Sequence, residues 1–299
     1  MKHVSILLCA YNAEAYIAEA IESTLVQTYH DFELIIVDDG STDGTLDIIR
    51  SYKDERIKVI EGKHDYIGSL NLGLKYCRGE YIARMDADDI MEPRRIEKQV
   101  ALMEARPDIA VCTSWAQAFG EVDKVIGNIV EGDVEDISTQ FLLGNFLIHP
   151  TSMLRRRFLT RHRLRYKEYP YAEDFKLWTD IGRRGGRFYV IPETLLRYRI
   201  TQGQVTNAHR EEQNATRLLI QQEVIEEKLR HLPTSRKQRA GKLYRQLLLA
   251  HEEGLVIADA VVGVMYQVFR NLHINTQSKA QLECENMCLL IRCGTVFTQ

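Results

Sequence analysis

The sequence predicts an α/β protein built on a mostly parallel sheet. Two patterns carry that expectation. Over the first hundred residues, short unbroken apolar runs alternate four times with segments of helical period, and each run ends in polar or acidic residues. An unbroken run suits a strand covered on both faces, and strand–helix alternation joins parallel neighbours through right-handed crossovers.

The elements follow in order. Val4–Cys9 is the first strand, and Ile17, Ile21 and Leu25, spaced by four, mark a helix over Ala13–Thr28. Phe32–Val37 is the second strand; Ser41 or Thr42 is expected to cap a helix carrying Leu46, Ile48 and Ile49. Ile57–Ile60 is a third strand, Leu70–Tyr76 lies on a third helix, and Tyr81–Met85 is a fourth strand. Pro93 stands where a helix to about Arg106 can start. Beyond Ile109 the alternation breaks down. Val111–Phe119 and His149–Arg155 read as strands, Ile137–Leu143 and Tyr171–Arg183 as helices, and Arg187–Ile191 and Leu195–Tyr198 as strands. From about Ala208 the chain is expected to be helical, with one break at Pro233-Thr234. A boundary near residue 205 divides a sheet domain, 1–205, from a helical C-terminal region, 206–299, available for partner, membrane or oligomer contacts.

Composition narrows the class. The chain has 299 residues, 45% hydrophobic and 27% charged, with 18 Gly and 6 Pro, which excludes disordered and collagen-like chains. A net charge of −3 (39 basic, 42 acidic) gives no polyelectrolyte argument for nucleic acid. The six Cys form no CxxC or zinc spacing and read as reduced packing thiols of a cytosolic protein. No leader segment is read at the N-terminus, and the apolar stretch Leu255–Phe269 is interrupted by Asp259 and too short to span a bilayer. The expected location is cytoplasmic, with peripheral contact on the inner face of the cytoplasmic membrane.

In a parallel sheet, ligands bind beyond the carboxyl ends of the strands. The residues there are Ala10-Tyr11-Asn12, Asp38-Asp39, Lys63-His64-Asp65 and Asp86-Ala87-Asp88-Asp89. Three carboxylates within four residues repel one another unless a cation or donors compensate, and hard ions such as Mg²⁺ or Mn²⁺ prefer carboxylates plus substrate phosphates. A solvated acidic turn ahead of the Pro93 helix is the plainer alternative. Asp38 and Asp39 can accept from a ribose hydroxyl or a base N–H, and Tyr11 offers a ring face for stacking. Neither G-x-G-x-x-G nor G-x-x-x-x-G-K-[ST] is present, so phosphates have no glycine cradle.

Four segments, VSILLCAYN (4–12), LIIVDDGSTDGT (34–45), YIARMDADD (81–89) and AEDFKLW (172–178), resemble family 2 glycosyltransferases of the GT-A fold, in the right order over roughly residues 3–205. YPYAED (169–174) and LRYRI (196–200) are similar to bacterial β-1,3-N-acetylhexosaminyltransferases of lipooligosaccharide, O-antigen or capsule synthesis. The resemblance implies that Ala10, Tyr11 and Asp39 contact the uridine of a UDP-sugar, with Glu14 and Lys63 close by. It implies that Asp86 and Ala87 lie by the ribose and diphosphate, and that Asp88, with Asp86, holds Mn²⁺ or Mg²⁺. Asp174 would be the catalytic base, Glu173 an acceptor-side partner, and His149 part of the acceptor side. Many relatives read Tyr-Arg-x-His where this chain has Tyr198-Arg199-Ile200-Thr201. Threonine is a poor metal ligand, and His209 is expected to be a surface residue.

The expected reaction is inverting transfer of a hexose or N-acetylhexosamine to a glycan or lipid-linked oligosaccharide. A positioned carboxylate that takes the acceptor proton contributes typically ~10²–10⁴-fold. Glu173 and Asp174 also suit the start of the helix carrying Leu177 and Trp178. Two runs, Arg155–Lys167 and Lys228–Arg245, each carry seven Lys/Arg and no acid. They read as solvated faces or as contacts with an anionic membrane; aromatics do not interleave with the bases as nucleic acid would need. The rival readings are a nucleotidyltransferase acting on sugar phosphates, which needs a basic glycine-rich loop after the first strand, and a non-catalytic nucleotide- or sugar-binding protein.

Overall fold

The computed structural model describes residues 3–128, 130–134, 137–141, 144–201 and 209–230, together with 234, 235 and 246. The expected break at Pro233, most of the second basic run, the Leu255–Phe269 stretch and the last three cysteines lie outside the described residues. Met1–Val134 with Phe146–Arg210 forms one compact unit, and Glu135–Asn145 with Glu211–Gln299 the other.

The first unit holds a ten-stranded sheet. Its parallel half is β3 (Ile57–Glu61), β2 (Phe32–Asp38), β1 (Val4–Ala10) and β4 (Tyr81–Asp86), in that spatial order. All seven residues of β1 are buried, as an unbroken apolar run requires. The register sets Ala10 opposite Asp38, Cys9 opposite Asp86 and Asp38 opposite Glu61. The strand ends therefore finish level, and their polar residues share one edge. Beyond β4 the order continues through β9 (Met153–Arg155), β6 (Ile109–Gly120), β10 (Arg187–Ile200) and β5 (Ile90–Met91). Here β9 is antiparallel to β4 and β6, while β6 and β10 run parallel. Two further strands, β7 (Lys124–Ile126) and β8 (Gly132–Val134), flank β6 and β10.

Helices α1 (Ile17–Leu25), α2 (Thr45–Ser51), α3 (Tyr66–Tyr76) and α4 (Arg95–Ala105) connect the strands of the parallel half and lead on to β6. Ile17, Ala20 and Ile21 of α1 and Ile96, Val100 and Met103 of α4 join β1, β2 and β4 in one core. Cys9, Cys77 and Cys112 are buried free thiols pushed up to about 12 by burial, which keeps them unreactive packing groups.

Several boundaries differ from the sequence expectation. α1 starts at Ile17 instead of Ala13, because Tyr16 and Ile17 both donate to the Ala13 carbonyl in a turn. Neither Ser41 nor Thr42 caps α2: both are tied to Asn12, and Asp43 accepts from the Thr45 N–H at 3.0 Å instead. Pro93 stands two residues ahead of α4, its carbonyl accepting from Thr28. His149–Thr151 is a 3₁₀ turn instead of strand, with Ser152 N–H closing onto the His149 carbonyl. The two late strands are one, β10, with Pro192 and Glu193 outside its register with β6. Proline has no N–H to give a ladder, so the pairing slips there. The α5 helix (Ile137–Gln140) ends before Leu143. α6 (Arg156–His162) was not foreseen, and α7 (Glu173–Arg183) begins two residues late. In the second unit, α8 (Arg210–Arg230) buries Ile220, Val224 and Ile225. No helix among the described residues is long and apolar enough to cross a membrane.

Candidate active site

One end of the site is built where β1, β2 and β3 finish. Asp39 is buried, its N–H bonded to the Ala10 carbonyl at 2.7 Å. Its Oδ1 accepts from Ser69 Oγ at 2.7 Å and from the Asp65 N–H at 2.9 Å, so α3 and its leading loop fix the carboxylate. Gly62 permits this closeness, since a Cβ there would stand 2.3 Å from Ser69 Oγ. Neighbouring Asp38 is also buried; Oδ2 accepts from Ser41 N–H, while Oδ1 has no hydrogen-bond partner among the described residues. The exposed ring of Tyr11 lies 4.4 Å from that of His64 at a 34° tilt. Asn12 sits at φ 47°, a left-handed turn secured by Ser41 and Thr42. Glu14 holds the Gly44 N–H at 2.7 Å, a structural engagement at the start of α2. Lys63 is exposed and forms no ion pair among the described residues.

The acidic loop follows β4. Arg84, fully buried in the strand, reaches Asp86 at 2.7 Å and Tyr66 Oη at 3.0 Å, and donates to the Met85 carbonyl. Asp88 is pushed up to about 6, first by burial and then by the charge of Asp86. Asp89 is buried and raised well above the ordinary carboxylate range, by burial and by both neighbouring acids. Its Oδ1 accepts from Arg199 N–H at 2.8 Å, while Oδ2 has no partner among the described residues. The Arg199 side chain donates to the Asp88 carbonyl at 2.7 Å, pairs with Glu19 and lies over the Tyr16 and Phe119 rings. Ala87 packs half-buried against the core.

The Glu173–Asp174 pair opens α7. Glu173 is buried and pushed up to about 8, by burial first and by Asp174 next, with Arg84 opposing and Asp86 adding. Asp174 accepts from the Phe175 N–H at 2.6 Å. Tyr198, on β10, feels both groups at once: burial raises its phenol, and the charges of Asp86, Asp89, Asp88 and Asp174 raise it further. His149 lies 2.9 Å from Tyr166 Oη through Nε2 and stands edge-on to Trp178. Burial and the Arg84 charge hold its pKa well below the ordinary histidine value, so the ring is neutral. Tyr166 is buried, clamped through its backbone by Asn71, and influenced by Asp174 and Glu173. His209 stacks on Tyr171 at 4.3 Å and 10°, beside the Glu173–Asp174 pair.

The sequence-derived residues thus gather at the strand ends and at the start of α7. Arg84, Ser69, Tyr166, Tyr198 and Arg199 were not foreseen as functional. A charged residue inside the apolar β4 run was the one available signal for Arg84. The acidic loop has the donor set of a hard divalent cation: carboxylate oxygens, with a charge crowding that a cation relieves. Among the described residues no three His, Cys, Asp or Glu side chains converge as a closed metal site. A cation held there would take its other ligands from substrate phosphate or water.

The chain is similar to known proteins. The family model for glycosyl transferase family 2 matches residues 5–163. An uncharacterized glycosyltransferase of Haemophilus influenzae is 39% identical over 236 residues, covering 74% of this chain and 73% of that protein. The UDP-Glc:α-D-GlcNAc-diphosphoundecaprenol β-1,3-glucosyltransferase WfaP of Escherichia coli is 34% identical over 189 residues, 62% of this chain and 72% of WfaP. Among solved structures, S. aureus TarS 1-349 in complex with UDP-GlcNAc aligns with TM-score 0.65 at 20% identity, over 89% of this chain and 81% of that one. The mannosyltransferase PcManGT of Pyrobaculum calidifontis, in complex with GDP-Man and Mn²⁺, aligns with TM-score 0.54 at 15% identity, over 89% and 86%. The sheet is therefore that of the GT-A glycosyltransferases, and the chain belongs to glycosyl transferase family 2.

Proposed function

We propose that this glycosyltransferase moves a hexose or N-acetylhexosamine from a UDP-sugar, with inversion, to a glycan or lipid-linked oligosaccharide in the synthesis of a bacterial surface polysaccharide or lipooligosaccharide. The observation that carries this reading is electrostatic. Asp86, Asp88 and Asp89 of the acidic loop and Asp174 of α7 all lie near enough to Tyr198 to raise its phenol, which supports one space shared by the loop and the start of α7. The uridine donor is favoured by relatives, since WfaP is a UDP-Glc glucosyltransferase and TarS was solved with UDP-GlcNAc. The β-1,3 linkage of a hexose is favoured by WfaP, and an N-acetylhexosamine donor by the UDP-GlcNAc complex of TarS.

In this reading Asp39, fixed by Ser69 and Asp65, accepts from the nucleoside, with Ala10, Tyr11, Glu14 and Lys63 around it. Asp86 and Ala87 line the diphosphate, and Asp88, with Asp86, holds Mn²⁺ or Mg²⁺. The cation supplies Lewis-acid stabilisation of the leaving diphosphate. Asp174 takes the acceptor hydroxyl proton. Glu173, kept neutral near pH 7, can donate to the acceptor without adding a second charge beside Asp174. His149, neutral and fixed by Tyr166, lines the acceptor side.

The test is UDP release with Mn²⁺ from UDP-Glc, UDP-Gal, UDP-GlcNAc and UDP-GalNAc, in the wild type, Asp88→Ala and Asp174→Ala. One donor is expected to be hydrolysed slowly, with loss in Asp88→Ala. Asp174→Ala should bind that donor and fail to transfer to an acceptor. Failure of every donor to bind or react would leave the UDP-sugar reading without support.

A further inference from the structure

The basic run from Arg155 to Lys167 divides into two halves in the structure. Arg155 is buried and donates to the carbonyls of Ile109, Met103 and Arg106, and Arg156 donates to the Gly79 carbonyl. The next four, Arg157, Arg161, Arg163 and Arg165, are exposed, and none forms an ion pair among the described residues. Arg157 and Arg161 stand four apart on α6, one above the other. Arg163 ends the helix in the left-handed region at φ 52°, and Leu164 N–H turns back to the Leu159 carbonyl at 2.9 Å, so the chain folds over at that end. Arg184 is exposed on the turn after α7. That turn meets α6, because a Cβ on Gly186 would lie 3.0 Å from the Phe158 ring. Of the acids around the run, Asp180 pairs with Lys167 and Lys176 and Asp108 with Arg106 and Arg187, while Glu168, just past it, is exposed.

We propose that this arginine face of α6, joined by Arg184, docks the protein on an anionic lipid surface. A cluster of exposed cations that form no ion pairs among the described residues suits a polyvalent anionic partner. Nucleic acid is disfavoured because the face offers no exposed ring for base stacking: Phe158 packs on the Gly186 turn and Tyr166 is buried. Arg165 is followed by the buried Tyr166, the partner of His149. The inference uses charge and exposure alone and does not depend on which sugar is transferred.

The experiment is cosedimentation of the full chain with vesicles of phosphatidylcholine alone, or with about a third phosphatidylglycerol. The wild type is expected to bind the anionic vesicles, to ignore the neutral ones and to release at high salt. Each arginine near the surface contributes about fivefold in partition, so Arg157→Gln/Arg161→Gln/Arg163→Gln/Arg165→Gln should weaken binding by one to three orders of magnitude. The matching fourfold Arg→Lys variant should keep binding within about threefold. Unchanged far-ultraviolet dichroism of both variants verifies folding. No binding to anionic vesicles, equal binding to neutral ones, or full binding by the glutamine variant would each overturn the proposal.

Discussion

Gly62→Ala is a sensitive probe of how Asp39, the carboxylate proposed to bind the nucleoside, is held. Gly62 directly follows β3, its N–H bonded to the Asp38 carbonyl at 2.6 Å. A methyl group there would stand 2.3 Å from Ser69 Oγ, 2.9 Å from Asp39 Oδ1 and 3.2 Å from the Asp38 carbonyl. The first separation is impossible, so Ser69 must move, and its 2.7 Å bond to Asp39 is lost. A hydrogen bond to a charged group is worth about 1.5–3 kcal/mol, and overpacking adds about 1–3 kcal/mol. Partial relaxation leaves an expected loss of about 3 kcal/mol, which lowers Tm by roughly 6–12 °C in a domain of this size. Because Asp39 turns with Ser69, UDP affinity measured by calorimetry should fall about 10- to 100-fold. Ser69→Ala removes the hydroxyl but leaves the Asp65 N–H on Asp39, so its effect should be smaller. The double variant should lose less than the sum of the two, since the worst clash goes with the hydroxyl. Unchanged Tm and UDP affinity in Gly62→Ala, or strict additivity in the double variant, would refute the reasoning.

Other expectations concern charge. Asp88 and Glu173 both have raised pKa values, to about 6 and about 8, so the folded protein binds protons that the unfolded chain releases. The stability these two groups contribute to the metal-free protein should therefore be full below about pH 4 and be lost progressively as pH rises to about 8. Holding the Asp88 carboxyl up at about 6 corresponds to at most about 3 kcal/mol. Asp88→Asn should accordingly stabilise the metal-free protein at pH 8 but not at pH 4, while losing metal-dependent UDP release; urea unfolding at both pH values decides it. Arg84→Met should cost about 3–5 kcal/mol in the same assay, because it strands Asp86 without its buried partner. Arg199→Lys keeps the charge but loses the forked contact with the Asp88 carbonyl and Glu19. It should weaken Mn²⁺-dependent donor binding several-fold while leaving binding of uridine alone unchanged.

The parts of this molecule that sequence makes legible are those whose cause is local. β1, β2 and β4 are buried on both faces, so their composition announces them, and the residues that follow each strand stand on the site edge whatever the rest of the fold does. The second half of the sheet obeys no such rule. β10 pairs with β6, 78 residues upstream at the Arg187–Ile109 register, and nothing near either strand encodes that partnership. α6 was hidden because Arg155 and Arg156, which look like surface charge, turn inward onto backbone carbonyls. The same distinction runs through the site. Asp39, Asp86, Asp88 and Asp174 are written in short motifs, whereas the groups that hold or modulate them arrive from far away: Ser69 from 30 residues off Asp39, Arg199 from 111 off Asp88. Burying several acids around one space is unfavourable unless such supports converge, and convergence is a property of the fold. A chain with the same acidic motifs but no counterpart of Ser69, Arg84 and Arg199 should therefore show a looser loop, with carboxylates titrating nearer their ordinary values.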